Sequence, residues 1–235
     1  MKELQRLIDG AKRIVFFGGA GVSTESGIPD FRSADGLYQQ KYEVPPEQLL
    51  SHSYFLAHPE EFFKFYREKM LCINAQPNAA HYKLAEWEMQ GKLTAVITQN
   101  IDGLHQKAGS RTVLELHGSI YRNHCTACGK AYPVEKILSG EKIPRCSCGG
   151  ILKPDVVLYE ESLDFEIINE AVRQLSSADL LIVAGTSLTV YPAAGLIDYF
   201  QGGPLVLINR DKTPADGRAD LVIHGNVAEI LNGLD

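Results

Sequence analysis

The chain has 235 residues, 45% of them hydrophobic, and its 23 Lys and Arg stand against 29 Asp and Glu for a formal net charge of −6. That length buries a sizeable core as one large domain, or as one domain with a small insert, and a net acidic chain of pI ≈ 5.7 excludes nucleic-acid binding by charge alone, which needs clustered Lys and Arg. No apolar run reaches bilayer length, and the N-terminal MKELQRLIDG lacks the apolar block of a secretory leader, so the expectation is a soluble, cytoplasmic protein with no membrane partner.

In chain order, the pattern predicts a helix over Lys2–Ala11 and a strand over Arg13–Phe17, which runs into the glycine-rich turn Gly18-Gly19-Ala20-Gly21. A mostly helical, aromatic-rich stretch follows from Arg32 to Asn78 and includes a helix over Pro59–Ile73. A helix over Asn78–Gln90 leads to strands Leu93–Thr98 and Val113–Leu116. Tyr121–Lys153 carries four of the five cysteines. The C-terminal part alternates again: helix Phe165–Ser176, strands Leu180–Ala184, Leu205–Asn209 and Leu221–His224, and helix Asn226–Leu234. Several strands are continuous apolar runs, as parallel strands covered on both faces require. Strand alternating with helix predicts a Rossmann-like, doubly wound α/β sheet. The two stretches that break the alternation, about 32–78 and 121–153, are expected to form a smaller lobe beside a large lobe of about 1–31, 79–120 and 154–235.

Glycines after the first strand let backbone approach a phosphate at the start of a following helix. The spacing departs from the usual dinucleotide fingerprint, since the glycine after Gly21 is Gly27, and no acidic ribose ligand stands at the end of a second strand. An ordinary dehydrogenase is therefore disfavoured. Asn100 and Asp102, just past a strand end, suit a carboxamide held beside a sugar, or else an Asx turn. His117 ends an apolar strand, where a histidine is more often structural than a base. Cys72 reads as a small buried hydrophobe within a helix. Cys125-x-x-Cys128 and Cys146-x-Cys148 with their flanking glycines read as two zinc knuckles. Four thiolates make a closed, structural tetrahedral site. A nucleic-acid-binding zinc ribbon is disfavoured, because Lys130, Lys136, Lys142 and Arg145 alternate with Glu135 and Glu141.

Gly19-Ala20-Gly21-Val22-Ser23, Ser26-Gly27-Ile28-Pro29-Asp30-Phe31-Arg32, Thr98-Gln99-Asn100-Ile101-Asp102 with Leu104-His105, His117-Gly118 and Gly185-Thr186-Ser187-Leu188 together resemble the sirtuins, of the single-domain bacterial and archaeal type, in order along nearly the whole chain. The resemblance implies an NAD-dependent protein-lysine deacylase, chiefly a deacetylase, with NAD consumed as co-substrate and one structural zinc ion. It implies that Ala20, Ile28, Phe31, Asn100, Ile101 and Asp102 line the nicotinamide pocket, with Gly21, Thr24, Arg32, Gln99, Gly185, Thr186, Ser187, Asn209 and Val227 completing the nucleotide site. His117 is then the base, with Asn100 and Asp102 as its catalytic companions, and the zinc ligands are Cys125, Cys128, Cys146 and Cys148. Val156, Val157 and Tyr159 are expected to hold the substrate peptide by main-chain pairing. Tyr159-Glu160-Glu161 stands where the family has aromatic-Gly-Glu, which puts the local backbone in question and adds a carboxylate that favours basic substrates. Tyr66 and Lys69 are the nearest match to the Tyr-x-x-Arg pair of succinyl-removing relatives. Lys lacks the bidentate fork of Arg, so a neutral acyl group is expected. The expected partners are acyl-lysine proteins or peptides acting on a monomer. The alternatives are a protein ADP-ribosyltransferase and a non-catalytic NAD or ADP-ribose binder.

Overall fold

The computed structural model describes residues 1–30, 36 and 44–234. The elements are α1 (Lys2–Gly10), β1 (Ile14–Gly18), α2 (Pro46–Leu49), α3 (His52–Ala57), α4 (Pro59–Lys69), α5 (Ala79–Met89), β2 (Leu93–Thr98), α6 (Leu104–Ala108), β3 (Val113–Glu115), β4 (Gly118–Cys125), β5 (Ala131–Pro133), α7 (Val134–Leu138), β6 (Leu152–Val156), α8 (Phe165–Ser177), β7 (Leu180–Ala184), β8 (Leu205–Asn209), β9 (Leu221–His224) and α9 (Val227–Asn232). Six strands form one parallel sheet in the order β3-β2-β1-β7-β8-β9. The strand order reverses between β1 and β7, which in open α/β sheets opens a crevice at the carboxyl ends.

Alternation within the strands builds a core on each face. Ile14 and Phe16 of β1, with Leu180 and Ile182 of β7 and Val206 and Ile208 of β8, face Leu4, Ile8, Leu84, Trp87 and Leu231 from α1, α5 and α9. Their neighbours Val15, Phe17, Leu181, Val183 and Leu207 face Ala171 and Leu175 of α8 and the 3₁₀ segment Ala193–Tyr199. Both phenylalanines are fully buried, each worth ~2 kcal/mol of transfer free energy. This two-sided burial is why the strands read as apolar runs.

A third core gathers Phe55, Phe62, Phe63 and Tyr66 from α3 and α4 with Ile120, Ile137, Leu152 and Val156, around a separate antiparallel sheet in the order β5-β4-β6. The sequence pattern missed these three strands because the cysteine-rich segment has no long apolar run. One other difference concerns helix length. The helix expected over Pro59–Ile73 ends at Lys69, so Cys72 is not helical but lies half-buried in the following segment. After the glycine turn the chain forms two 3₁₀ turns, Ala20–Val22 and Thr24–Ser26. Among the described residues no helix is long and apolar enough to cross a membrane.

Candidate active site

A cavity of about 650 Å³ runs along the carboxyl ends of β2, β1, β7, β8 and β9. Its lining brings together Ala20, Gly21, Thr24, Ile28, Gln99, Asn100, Ile101, Asp102, His117, Gly185, Thr186, Ser187, Asn209 and Val227, and on its other side Val156, Val157 and Tyr159. Of the residues expected at the site, Phe31 and Arg32 lie outside the described residues. The glycines act here by proximity. The Gly21 N–H donates to the Gly185 carbonyl at 2.8 Å and the Gly19 N–H to that of Ala184 at 3.2 Å. A Cβ on Gly21 would sit 2.8 Å from the Gly185 Cα. The loops after β1 and β7 therefore interlock, and the two amides are committed to that lock rather than offered to a ligand.

At the β2 end, a buried relay holds the polar side chains. Asn100 Nδ2 donates to Ser23 Oγ at 3.0 Å, and Ser23 Oγ donates to Asp102 Oδ2 at 2.6 Å. The second oxygen of Asp102 accepts from the Leu104 N–H at 2.9 Å. Burial pushes the Asp102 pKa up, against the hydrogen bonds from Ser23 and Leu104. Gln99 Nε2 donates to Thr186 Oγ1 at 2.9 Å, tying the end of β2 to the loop after β7. Asn100 and Asp102 thus form part of a crossed network with the glycine loop, not a free-standing Asx turn. Ser23, fully buried at its hub, was not singled out from the sequence, although its hydroxyl lies within the first motif.

His117 Nδ1 is 2.9 Å from the Gln99 carbonyl oxygen. A carbonyl only accepts, so Nδ1 carries the proton and Nε2 keeps its lone pair. Burial holds the His117 pKa below its ordinary value, more than the Gln99 hydrogen bond raises it. The imidazole is therefore neutral at physiological pH and able to accept a proton. Its main chain is equally committed, since the His117 carbonyl accepts from the Val157 N–H at 3.0 Å. The next residue, Gly118, has φ +77, and a Cβ there would lie 1.7 Å from the Asp155 carbonyl oxygen. Only glycine lets β6 pass this close to the histidine.

The segment after β6 is held from within. Lys153, nine-tenths buried, donates through Nζ to the carbonyls of Pro154 at 3.1 Å and Val156 at 3.0 Å and pairs with Glu161 at 3.0 Å. Glu161 also accepts from the Leu158 N–H at 2.8 Å and lies 2.7 Å from His52 Nδ1. Burial alone would raise Glu161, but Leu158, His52 and Lys153 together hold its carboxyl below the ordinary range. Tyr159 pairs main chain to main chain with Leu50 and His52, at 3.0 Å each. Glu160 keeps the left-handed backbone of the glycine it replaces, at φ 76, and its carboxylate accepts from the N–H and hydroxyl of Ser53 at 2.8 and 2.9 Å. These bonds orient the Glu160 carboxylate on the start of α3 without neutralising it, and it remains exposed on the cavity wall. The Tyr66–Lys69 pair does not assemble. Tyr66 is fully buried in the third core, stacked on Phe62, whereas Lys69 lines the cavity.

Cys125, Cys128, Cys146 and Cys148 lie with all four sulfur atoms within 4.8 Å of one another. The Sγ–Sγ distances of 3.5 Å (Cys125–Cys148 and Cys128–Cys148) and 3.6 Å (Cys128–Cys146) approach the ~3.8 Å edge of a tetrahedron with Zn–S bonds of about 2.3 Å. The donor set fits one zinc ion. The Tyr132 hydroxyl, 3.1 Å from Cys146 Sγ, supplies the outer hydrogen bond that steadies a thiolate ligand.

The Sir2 family profile matches residues 19–192. The NAD-dependent protein deacetylase of Clostridium acetobutylicum is 59% identical over 98% of this chain and 96% of its own length. That of Cutibacterium acnes is 54% identical, over 99% and 96%. Among solved structures, a Sir2 variant with deacetylated p53 peptide and 3′-O-acetyl ADP-ribose superposes with a TM-score of 0.92 at 42% identity, covering 98% of this chain and 95% of that one. Sir2 with p53 peptide and NAD+ gives 0.88 at 42% identity over the same shares. Likeness this close, carried through the sheet, the cleft and the cysteine module alike, makes the chain a member of the Sir2 family.

Proposed function

We propose that the chain is an NAD-dependent protein-lysine deacetylase, transferring the acyl group to ADP-ribose and releasing nicotinamide. The observation that carries this reading is a neutral, oriented imidazole at the point where a dinucleotide-sized cleft meets a peptide-holding segment. The named activity of the Clostridium and Cutibacterium relatives and the Sir2 complexes with NAD+ and acetylated peptide support it. Asn100, Ile101 and Asp102 bind the nicotinamide and its ribose, held in place by Ser23. The acyl oxygen displaces nicotinamide at the anomeric carbon. His117 Nε2 then takes a proton from a ribose hydroxyl, and the resulting oxygen attacks the imidate carbon. The protonated lysine amine leaves and a water adds to the remaining cation, so that lysine and O-acyl-ADP-ribose are the products. Ala20, Gly21, Thr24, Ile28, Gln99, Gly185, Thr186 and Ser187 line the dinucleotide's path, Asn209 and Val227 its adenosine end. Phe31 and Arg32 of the adjoining motif belong to the same proposal.

Val156, Val157 and Tyr159 flank the substrate chain, Tyr159 through its side chain, because its N–H and carbonyl are already paired with Leu50 and His52. With Tyr66 sealed in the third core, no fork is available for an acyl carboxylate, so acetyl and other neutral groups are preferred. The large and small lobes keep the boundaries given above, with the zinc site and most of the third core in the small one and Ile120, Val156 and Leu158 joining that core from the large one. The free thiols and closed zinc site suit a reducing cytoplasm, the acidic balance argues against direct nucleic-acid binding, and the chain acts as a monomer. The test is mass spectrometry of the chain with NAD and an acetyl-lysine peptide beside its succinyl-lysine twin. Loss of acetyl matched by nicotinamide and O-acetyl-ADP-ribose is expected. Turnover of the succinyl peptide alone overturns the acyl preference, and ADP-ribose gained by protein with lysine still acylated overturns the deacetylase.

A further inference from the structure

The cleft is bridged at its far end by two contacts that no part of the chemistry above uses. Glu25, in the 3₁₀ turn after the glycine loop, accepts at Oε1 from Asn226 Nδ2 at 2.6 Å, across 201 positions of sequence. Asn226 is held rigidly for this, because its own Oδ1 caps α9 through the amides of Ala228 and Glu229 at 2.8 and 3.2 Å. Arg210, just after β8, lies 4.0 Å from the Asp30 carboxylate of the first motif, and 3.7 Å from its neighbour Asp211. Glu25, Asp30, Arg210 and Asn226 all line the one cavity.

Their place identifies what lies beneath them. A dinucleotide across an open sheet sets its pyrophosphate at the switch point, here between β1 and β7. His117 and Asn100 stand beyond β1, so the other end, past β7 toward β8 and β9, receives the adenosine. We propose that Glu25 with Asn226, and more weakly Asp30 with Arg210, form a clasp over the adenosine half of the nucleotide and set how long it stays. The inference rests on the NAD-dependent reading above. A 2.6 Å hydrogen bond onto a rigidly held partner is the stronger contact and an ion pair at 4.0 Å the weaker, so Glu25 carries most of the effect. Glu25 is a positioning residue, remote from the reacting atoms.

The test is calorimetry of the full chain with ADP-ribose, which has the adenosine half and no nicotinamide, together with steady-state kinetics. Glu25→Ala is expected to weaken ADP-ribose binding three- to tenfold and Arg210→Ala less than threefold. Glu25→Gln, which still accepts from Asn226, keeps binding within twofold of the parent. The change in Glu25→Ala falls on the KM for NAD rather than on kcat or the peptide KM. Equal affinity in the parent and Glu25→Ala overturns the clasp. So does a loss in Glu25→Ala spread over melting temperature, kcat and peptide KM, which marks a structural role. Failure of the parent chain to bind ADP-ribose at all overturns instead the nucleotide reading of the cleft.

Discussion

Lys153→Met tests how the segment proposed to hold the peptide is built. Methionine preserves most of the apolar stem and removes only the ammonium. That ammonium serves three acceptors, the carbonyls of Pro154 and Val156 and the Glu161 carboxylate. Breaking a buried ion pair by removing one partner costs roughly 3–5 kcal/mol. Here Glu161 is 19% exposed and keeps Leu158 and His52, which lowers its share, while each carbonyl left unpaired costs ~1 kcal/mol. A net loss of about 2–4 kcal/mol follows, or roughly 5–15 °C of melting temperature for a chain of this size. Urea denaturation measures the loss, and kinetics at saturating NAD should show the peptide KM rising severalfold while the KM for NAD stays fixed. A loss below about 0.5 kcal/mol, or an equal rise in both KM values, would refute the view that Lys153 holds this segment for the peptide.

His117→Ala should leave the circular dichroism spectrum intact and lower acetyl-lysine turnover by ~10²-fold or more, the usual contribution of a general base. Chelation of zinc, or Cys125→Ser, should disrupt the third core and abolish turnover, followed by near-ultraviolet circular dichroism and zinc content. Stability should also fall with acid through His81, which is fully buried beside His105, ring centroids 4.7 Å apart, with burial lowering its pKa from 6.5 to about 4. The unfolded chain then binds one more proton than the folded chain between those values, so stability declines as pH falls from 6.5 to about 4, by ~3 kcal/mol in all. His105, lowered well below 6.5 by burial and by His81, adds in the same direction. His81→Gln, which can keep the capping contact with the Asn78 N–H, should make the slope between pH 6.5 and 4 shallower in urea titrations.

The parallel sheet was legible because its strands are covered on both faces, leaving the unbroken apolar runs at β1, β2, β7 and β8. The four cysteines were legible because thiolate ligation needs short spacings. Three things were not, or only in part. β5 has only three residues, and β4, though eight long, has an irregular burial pattern broken by exposed Tyr121 and Arg122, so neither carries a periodic signature. Ser23 and Glu161 are placed by contacts with residues far along the chain, as in the 79 positions between Ser23 and Asp102, and Lys153 by a burial that its own stretch of sequence does not announce. Glu160 was half legible for a related reason: the sequence shows a carboxylate where a glycine is expected, and only the fold shows that Ser53 orients it.

The double commitment of His117 has a geometric consequence. Its ring is anchored to Gln99, at the end of β2, while its carbonyl anchors Val157, at the start of the peptide-holding segment. Under the proposed function, one residue therefore acts as the datum from which both reactants are measured, and no chain of intervening contacts accumulates error between them. Any displacement of the segment carries the backbone of the base with it, so the enzyme cannot be retuned toward bulkier substrates by shifting that segment alone. Room for them has to come from the far walls, at Met70 and Leu163, which line the cavity.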